Sequence, residues 1–227
     1  MKPSNHLVFK KVIFVHYAEP PLDDEKLLNF VYCQSVVDAT CFADPPESVA
    51  IKLAALQMKV TEVDIDPVKH VRGFLTGFLH EYLPYAVMRK NTPEMLLEWE
   101  AKILNKCHEI EASGKSTLDC RREYVSIVQE FDIYGAAYYP VTMTNTEGAD
   151  EDCILAVNAR GLHLIRRRTR EFVQSFPYEK IMKWGRSMAT FNFVAHDESR
   201  WEFETEQGEE INKFMGIYVK FLLDSRQ

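Results

Sequence analysis

Two periodicities divide the chain. From about residue 21 to residue 132 the apolar positions recur at three- and four-residue spacing, and after Tyr134-Gly135 they alternate. In the first stretch, Asp23-Asp24 precedes an apolar run from Leu27 to Val37 and supplies an N-cap and first-turn acid. Asp44-Pro45-Pro46-Glu47 reads as a capping box, with Asp44 accepting from the backbone and Glu47 reaching back. The helix it opens carries Val49, Leu53, Leu56 and Val60 on one face and is apolar nearly all round, which predicts burial. Phe74 to Leu83 reads as a short helix ended by Pro84. Thr92-Pro93 opens a helix with Leu96, Trp99, Ile103, Cys107 and Ile110 as its stripe and Ser113-Gly114 as its stop. Ser116 caps the next, with Tyr124, Val125, Val128 and Phe131 inward. Short connections predict antiparallel neighbours in a helical bundle.

In the second stretch, strand-like runs fall at 136–144, 152–158, 161–166, 171–176, 179–184, 188–195 and 200–205. Asn158-Ala159-Arg160-Gly161 and His196-Asp197-Glu198-Ser199 make tight turns. Phe191 and Phe193 share a face, as do Trp201 and Phe203. The chain then returns to helical period, with Ile211, Phe214, Met215, Tyr218, Val219 and Leu222 on one stripe. Leu7 to Val15 reads as an isolated strand, and Asn145 to Asp152 as an acidic mobile loop. The fold class is α+β: a helical bundle, then a small sheet closed by one helix.

Composition narrows the function classes. The net charge of −7 argues against a general nucleic-acid partner. The charge is uneven, however: Arg160, Arg166, Arg167, Arg168, Arg170, Lys180, Lys183 and Arg186 crowd a stretch holding only Glu171 and Glu179 as acids. The five cysteines are widely spaced with no C-x-x-C, which suits free thiols in a reducing compartment better than a disulfide framework or zinc ribbon. No apolar run reaches the length of a membrane span, and the N-terminus lacks the pattern of a signal peptide, so a cytosolic location is expected.

Catalytic motifs do not assemble. Gly114-Lys115-Ser116-Thr117 resembles the end of a phosphate loop, but Glu109 stands where that loop needs glycine and a helix precedes it, so a helix stop and cap is the better reading. His80-Glu81 starts like a zinc-protease helix, but Pro84 holds the second histidine's place. No catalytic residue, metal site or cofactor is assigned. Two surfaces are. Arg166, Arg167, Arg168 and Arg170, with Arg186 and the supporting Lys180 and Lys183, form a candidate site for anionic lipid or an acidic peptide, weighed against a plain solvated turn. The strand Lys180, Ile181, Met182, Lys183, Trp184 and Gly185 is a candidate edge for an added peptide strand, with Met215 and Tyr218 of the last helix as apolar lining. Trp184 is then either core filler or groove wall.

The order of parts resembles a FERM domain. The residues that carry the resemblance are Phe9-Lys10-Lys11, Leu53-Ala54-Ala55-Leu56-Gln57, Phe78-Leu79-His80-Glu81-Tyr82-Leu83-Pro84, Tyr134-Gly135, Leu155-Ala156-Val157-Asn158 with Gly161-Leu162-His163, Ile181 to Trp184, and Phe203-Glu204-Thr205 with Gln207-Gly208-Glu209-Glu210-Ile211. The pattern is most similar to MyTH4–FERM tails of unconventional myosins and plant kinesins, with talin-like members next. The resemblance implies the last strand of a truncated ubiquitin-like lobe and a linker over residues 1–20. It implies an acyl-CoA-binding-protein-like second lobe over 21–133, and a PH/PTB-like third lobe of seven strands and a C-terminal helix over 134–227. It further implies a non-catalytic adaptor excerpted from a longer protein, in the cytoplasm, at the cytoskeleton or at the inner face of the plasma membrane. Its implied partners are peptide tails of cargo, receptors or adaptors, anionic phospholipid, and the cytoskeleton through the full-length protein. The alternatives are a talin-like membrane-docking module and the non-catalytic region of a FERM-containing phosphatase or kinase.

Overall fold

The computed structural model describes residues 23–144 and 151–225. The expected strand at 7–15 and most of the acidic loop fall outside them. The helical part runs α1 (Glu25–Phe42), α2 (Glu47–Glu62), α3 (Leu79–Tyr82), α4 (Tyr85–Lys90), α5 (Pro93–Ala112) and α6 (Thr117–Gln129). The sheet strands are β1 (Ala137–Met143), β2 (Glu151–Asn158), β3 (Gly161–Arg166), β4 (Phe172–Pro177), β5 (Ile181–Arg186), β6 (Thr190–Ala195) and β7 (Arg200–Glu204), and α7 (Gly208–Asp224) closes the chain.

Three of the expected caps form. Asp24 accepts from the backbone of Lys26 and Leu27, Thr92 from Met95, and Ser116 from Asp119. The capping box at residue 44 does not form: Pro46 takes the N-cap of α2 with no side-chain bond. Asp44 instead pairs with Lys90 at 2.5 Å and Glu47 with Lys102 at 2.5 Å. With Pro46 at the N-cap, Asp44 lies two residues before it and Glu47 is the first helical residue, so neither carboxylate stands where a capping box needs it. The helix expected over 74–83 shrinks to α3, because residues 74–78 run as turns before it; Pro84 follows its end as expected and is also the N-cap of α4, which the periodicity did not disclose. Phe131 lies beyond the end of α6 and is half-buried.

The bundle core gathers on α2, where Leu53, Ala54, Ala55, Leu56 and Met58 are all buried. Alanines let α5 and α6 approach α2 closely, and Cys107 of α5 touches Met58 Sδ at 3.3 Å. Burial raises the Cys107 thiol to about 12, so it acts as a small core hydrophobe rather than a nucleophile. The carboxylate of Glu100 is buried but satisfied by the amides of Gly73 at 3.0 Å and Leu75 at 2.6 Å.

The seven strands form one antiparallel sheet in the order β4-β3-β2-β1-β7-β6-β5. β1 joins β7 only through Thr142 and Met143, which lets the sheet fold over and enclose a core. Phe176, Phe191, Phe193 and Phe203 fill it, with Ile211, Phe214, Met215 and Tyr218 of α7 across the open side. Burying each large α7 side chain contributes about 1.5–3 kcal/mol. β2 is buried from Cys153 to Asn158 without alternation. Leu155 and Val157 face the sheet core, while Ile154 and Ala156 pack with Ala43, Ile133 and Ile165 against the bundle.

The β2–β3 turn staples the two parts together. Asn158 Nδ2 donates to the carbonyls of Asp132 at 2.6 Å and Tyr134 at 3.0 Å. The Arg160 guanidinium donates to the carbonyls of Phe131 and Gln129, capping the C-terminus of α6. Asn158 Oδ1 accepts from the Arg160 amide at 2.9 Å and faces His163 Nε2 at 3.0 Å. That oxygen is acceptor-only, so Nε2 carries the proton and Nδ1 accepts from Ser175 Oγ. Burial lowers the His163 pKa to about 4, leaving the ring neutral. Gly161 is obligatory here: its φ is +144°, and a Cβ would lie 2.2 Å from the Phe176 carbonyl oxygen.

Candidate peptide-binding edge

β5 is one of the sheet's two edges and pairs only with β6. The Ser187 amide donates to Thr190 at 2.8 Å across the hairpin. Antiparallel alternation then turns the main-chain groups of Gly185 and Lys183 toward β6 and those of Trp184 and Arg186 outward. The register shifts between Ile181 and Lys183, so Met182 is a bulge residue, and its side chain is exposed. Regular edge is therefore confined to about Lys183 to Arg186.

The same outward-edged residues reach α7 with their side chains. Trp184 Nε1 donates to Asn212 Oδ1 at 3.0 Å, and Arg186 approaches Glu209 at 3.6 Å. Trp184 is half-buried and packs against the sheet core, as the core-filler reading expects. α7 starts close to the β5–β6 hairpin: a Cβ on Gly208 would stand 3.1 Å from the Thr190 carbonyl oxygen and 3.6 Å from Arg186 Cβ. One turn beyond Asn212, Gly216 is exposed, with open space where a side chain would be. β5 and α7 thus meet through Trp184–Asn212 and Arg186–Glu209, with exposed Gly216 one turn further along the helix.

The remaining candidates distribute as follows. Ile181 is buried beneath the edge, and Lys180 and Lys183 are exposed. Met215 and Tyr218 are not groove lining: they are 0% and 1% exposed, in the sheet core. A helix stripe that closes a sheet has already spent its apolar side chains. Asn212, which accepts from Trp184, is polar and was not singled out; it follows Ile211 on the next face of the helix.

The arginine hairpin is not a uniform anion site. Arg166 pairs with Glu151 at 2.7 Å and Glu171 at 3.2 Å. Arg170 lies over the rings of Phe42 at 5.3 Å and Tyr85 at 5.8 Å, turned into the bundle. Arg167 and Arg168 remain exposed. Arg186 stands on the opposite edge of the sheet from the hairpin, so the grouping expected from sequence splits in two. Among the described residues no group of three or more His, Cys, Asp or Glu could hold a metal ion, and no helix is long and apolar enough to cross a membrane.

Comparison with known proteins agrees with this architecture. Residues 18–139 match the family model of the FERM central domain, and residues 140–223 match that of the PTB domain (IRS-1 type). Talin of Oscarella pearsei is 25% identical over 232 residues, covering 99% of this chain and 9% of talin. Merlin of Rattus norvegicus is 32% identical over 170 residues, covering 72% of this chain and 27% of merlin. Among solved structures, the human Myosin 7b C-terminal MyTH4-FERM domain, in complex with the harmonin-a PDZ3 domain, superposes with a TM-score of 0.70. Its identity is 22%, over 93% of this chain and 42% of that one. The chain thus spans well under a third of the talin and merlin relatives it matches. Its helices and its sheet are the consecutive parts of one known arrangement, and the chain belongs to the FERM domain family.

Proposed function

We propose that this chain is a non-catalytic binding module of a larger cytoplasmic protein linking the cytoskeleton to cargo or membrane, in the manner of a motor-protein tail. An extended peptide adds to the outer edge of β5 and lies in the groove against α7. One observation carries the reading: Trp184 and Arg186 present unpaired strand edge outward while their side chains reach Asn212 and Glu209 of α7. Lys180, Lys183 and Arg186 favour a peptide bearing carboxylates. Human Myosin 7b, solved with a PDZ domain bound, supports a protein partner for a module of this fold.

The test replaces Trp184 by Ala together with Met182→Glu. Both side chains are at least partly exposed, so the fold should persist while affinity for a captured partner peptide falls about ten-fold or more, on the scale of a lost aromatic anchor. Unchanged affinity with the fold intact would reject the edge. Membrane docking is a weaker reading, since Arg166 and Arg170 are engaged inside the molecule. It retains Arg167 and Arg168, and requires salt-sensitive binding to phosphatidylserine vesicles but not to neutral ones.

A further inference from the structure

We infer that the cleft between the helical bundle and the β4 edge is a second binding site, for an extended peptide offering one apolar side chain followed by Lys or Arg. A cavity of about 360 Å³ opens there, between the α1–α2 connection, the C-terminal turn of α6 and the start of β4. That volume is within the usual range of a ligand pocket, roughly 300–1,000 Å³. Its lining is mainly apolar, with Phe42, Pro45, Phe131 and Phe172 as the largest surfaces. Phe172 begins a strand that pairs on one side only, and the residue is 38% exposed. A large aromatic left open at a sheet edge, beside an apolar hollow, is a surface suited to a partner's side chain.

The charges at the site select which partner. Asp44 is neutralised by Lys90, but Glu130 and Asp132 line the cavity with exposed carboxylates that make no ion pair among the described residues. The nearby Arg170 is turned onto the rings of Phe42 and Tyr85. Arg160 is held on the carbonyls of Gln129 and Phe131, and exposed Arg167 and Arg168 belong to the adjoining hairpin, so the two unpaired carboxylates bear on the hollow itself, where they favour a cationic side chain beside the apolar one. The walls come from both parts of the molecule, and the bonds from Asn158 and Arg160 fix them relative to each other, so the site is formed before the peptide arrives. It lies at the opposite sheet edge from β5, so it stands or falls independently of the groove against α7.

The experiment selects phage-displayed random octapeptides on the 227-residue chain, then measures synthetic peptides of the enriched classes by fluorescence polarisation. The expected result is a class with an apolar residue followed by Lys or Arg. Glu130→Gln with Asp132→Asn should weaken its binding about five-fold, the sum of two surface ion pairs, and Phe172→Ala should weaken it further. Trp184→Ala should leave it unchanged. The paired amide substitutions keep side-chain size at exposed positions, so a folding defect would not mimic the result, and an unshifted thermal midpoint verifies this. The proposal is overturned if no such class is enriched, if its affinity is indifferent to the amide pair, or if its affinity follows Trp184→Ala.

Discussion

The sheet ends in two unpaired edges, β4 and β5, built from similar material with different surroundings. β5 is bulged, carries Lys183 and Arg186, and meets a helix through Trp184–Asn212. β4 starts with an open Phe172 and abuts an apolar hollow with free carboxylates. Strand hydrogen bonds are the same for any sequence, so neither edge chooses its partner through its backbone. The neighbouring elements choose: a helix and cations on one side, the end of a bundle and acids on the other. A second strand edge in a small sheet is therefore a distinct opportunity rather than a copy of the first.

The comparison breaks most severely if the shared core is cut. Phe176 is a buried β4 residue whose ring meets Phe193 and Trp201, each with centroids 4.8 Å away. Phe176→Ala should destabilise the sheet by about 3–5 kcal/mol in chemical denaturation and loosen both edges together. Acid should separate them. His163 lies beneath Phe172, and burial holds its pKa near 4 against an ordinary 6.5. The unfolded chain binds the proton first as pH falls, so neutral His163 contributes stability fully above about 6.5 and loses it progressively down to about 4. That contribution is worth about 3 kcal/mol. Hydrogen exchange should rise earliest at β3 and β4 rather than β5, and His163→Gln should flatten the dependence. The smallest expected effect is at the other edge: Arg186→Ala removes a surface pair with the mostly exposed Glu209 and should cost less than about 0.5 kcal/mol. A larger loss in a thermal melt would mean that the α7 contact holds β5 in place.

Much of this arrangement is legible in the amino-acid order. Runs of strand-forming residues bounded by turns place the strands to within a residue or two, and the α7 stripe and the Asp24, Thr92 and Ser116 caps are local chemistry that local sequence records. What was missed depends on groups distant along the chain. Asp44 and Glu47 have the spacing of a cap, but the helix starts behind Pro46, and the two carboxylates pair with Lys90 and Lys102, which lie far along the chain. The arginines of the hairpin read as equivalent until Phe42 and Tyr85 claimed one and two glutamates another. Met215 and Tyr218 fit both the core and a groove by type, and only the direction from which β5 approaches decides between them. The hollow beside β4 joins residues near 42, 131 and 172, which no window along the sequence brings together. One clue was available: the unbroken apolar run Cys153 to Val157 requires cover on both faces of β2, and so requires the bundle to lean on the sheet.

The bulge at Met182 bears on solubility. An exposed, regular edge invites a second copy of the same chain to zip onto it, and then a third. Here the edge keeps its register only across about four residues before the kink, and Lys183 and Arg186 would meet their own kind across any self-pairing. The strand can receive one short foreign segment while resisting polymerisation through itself.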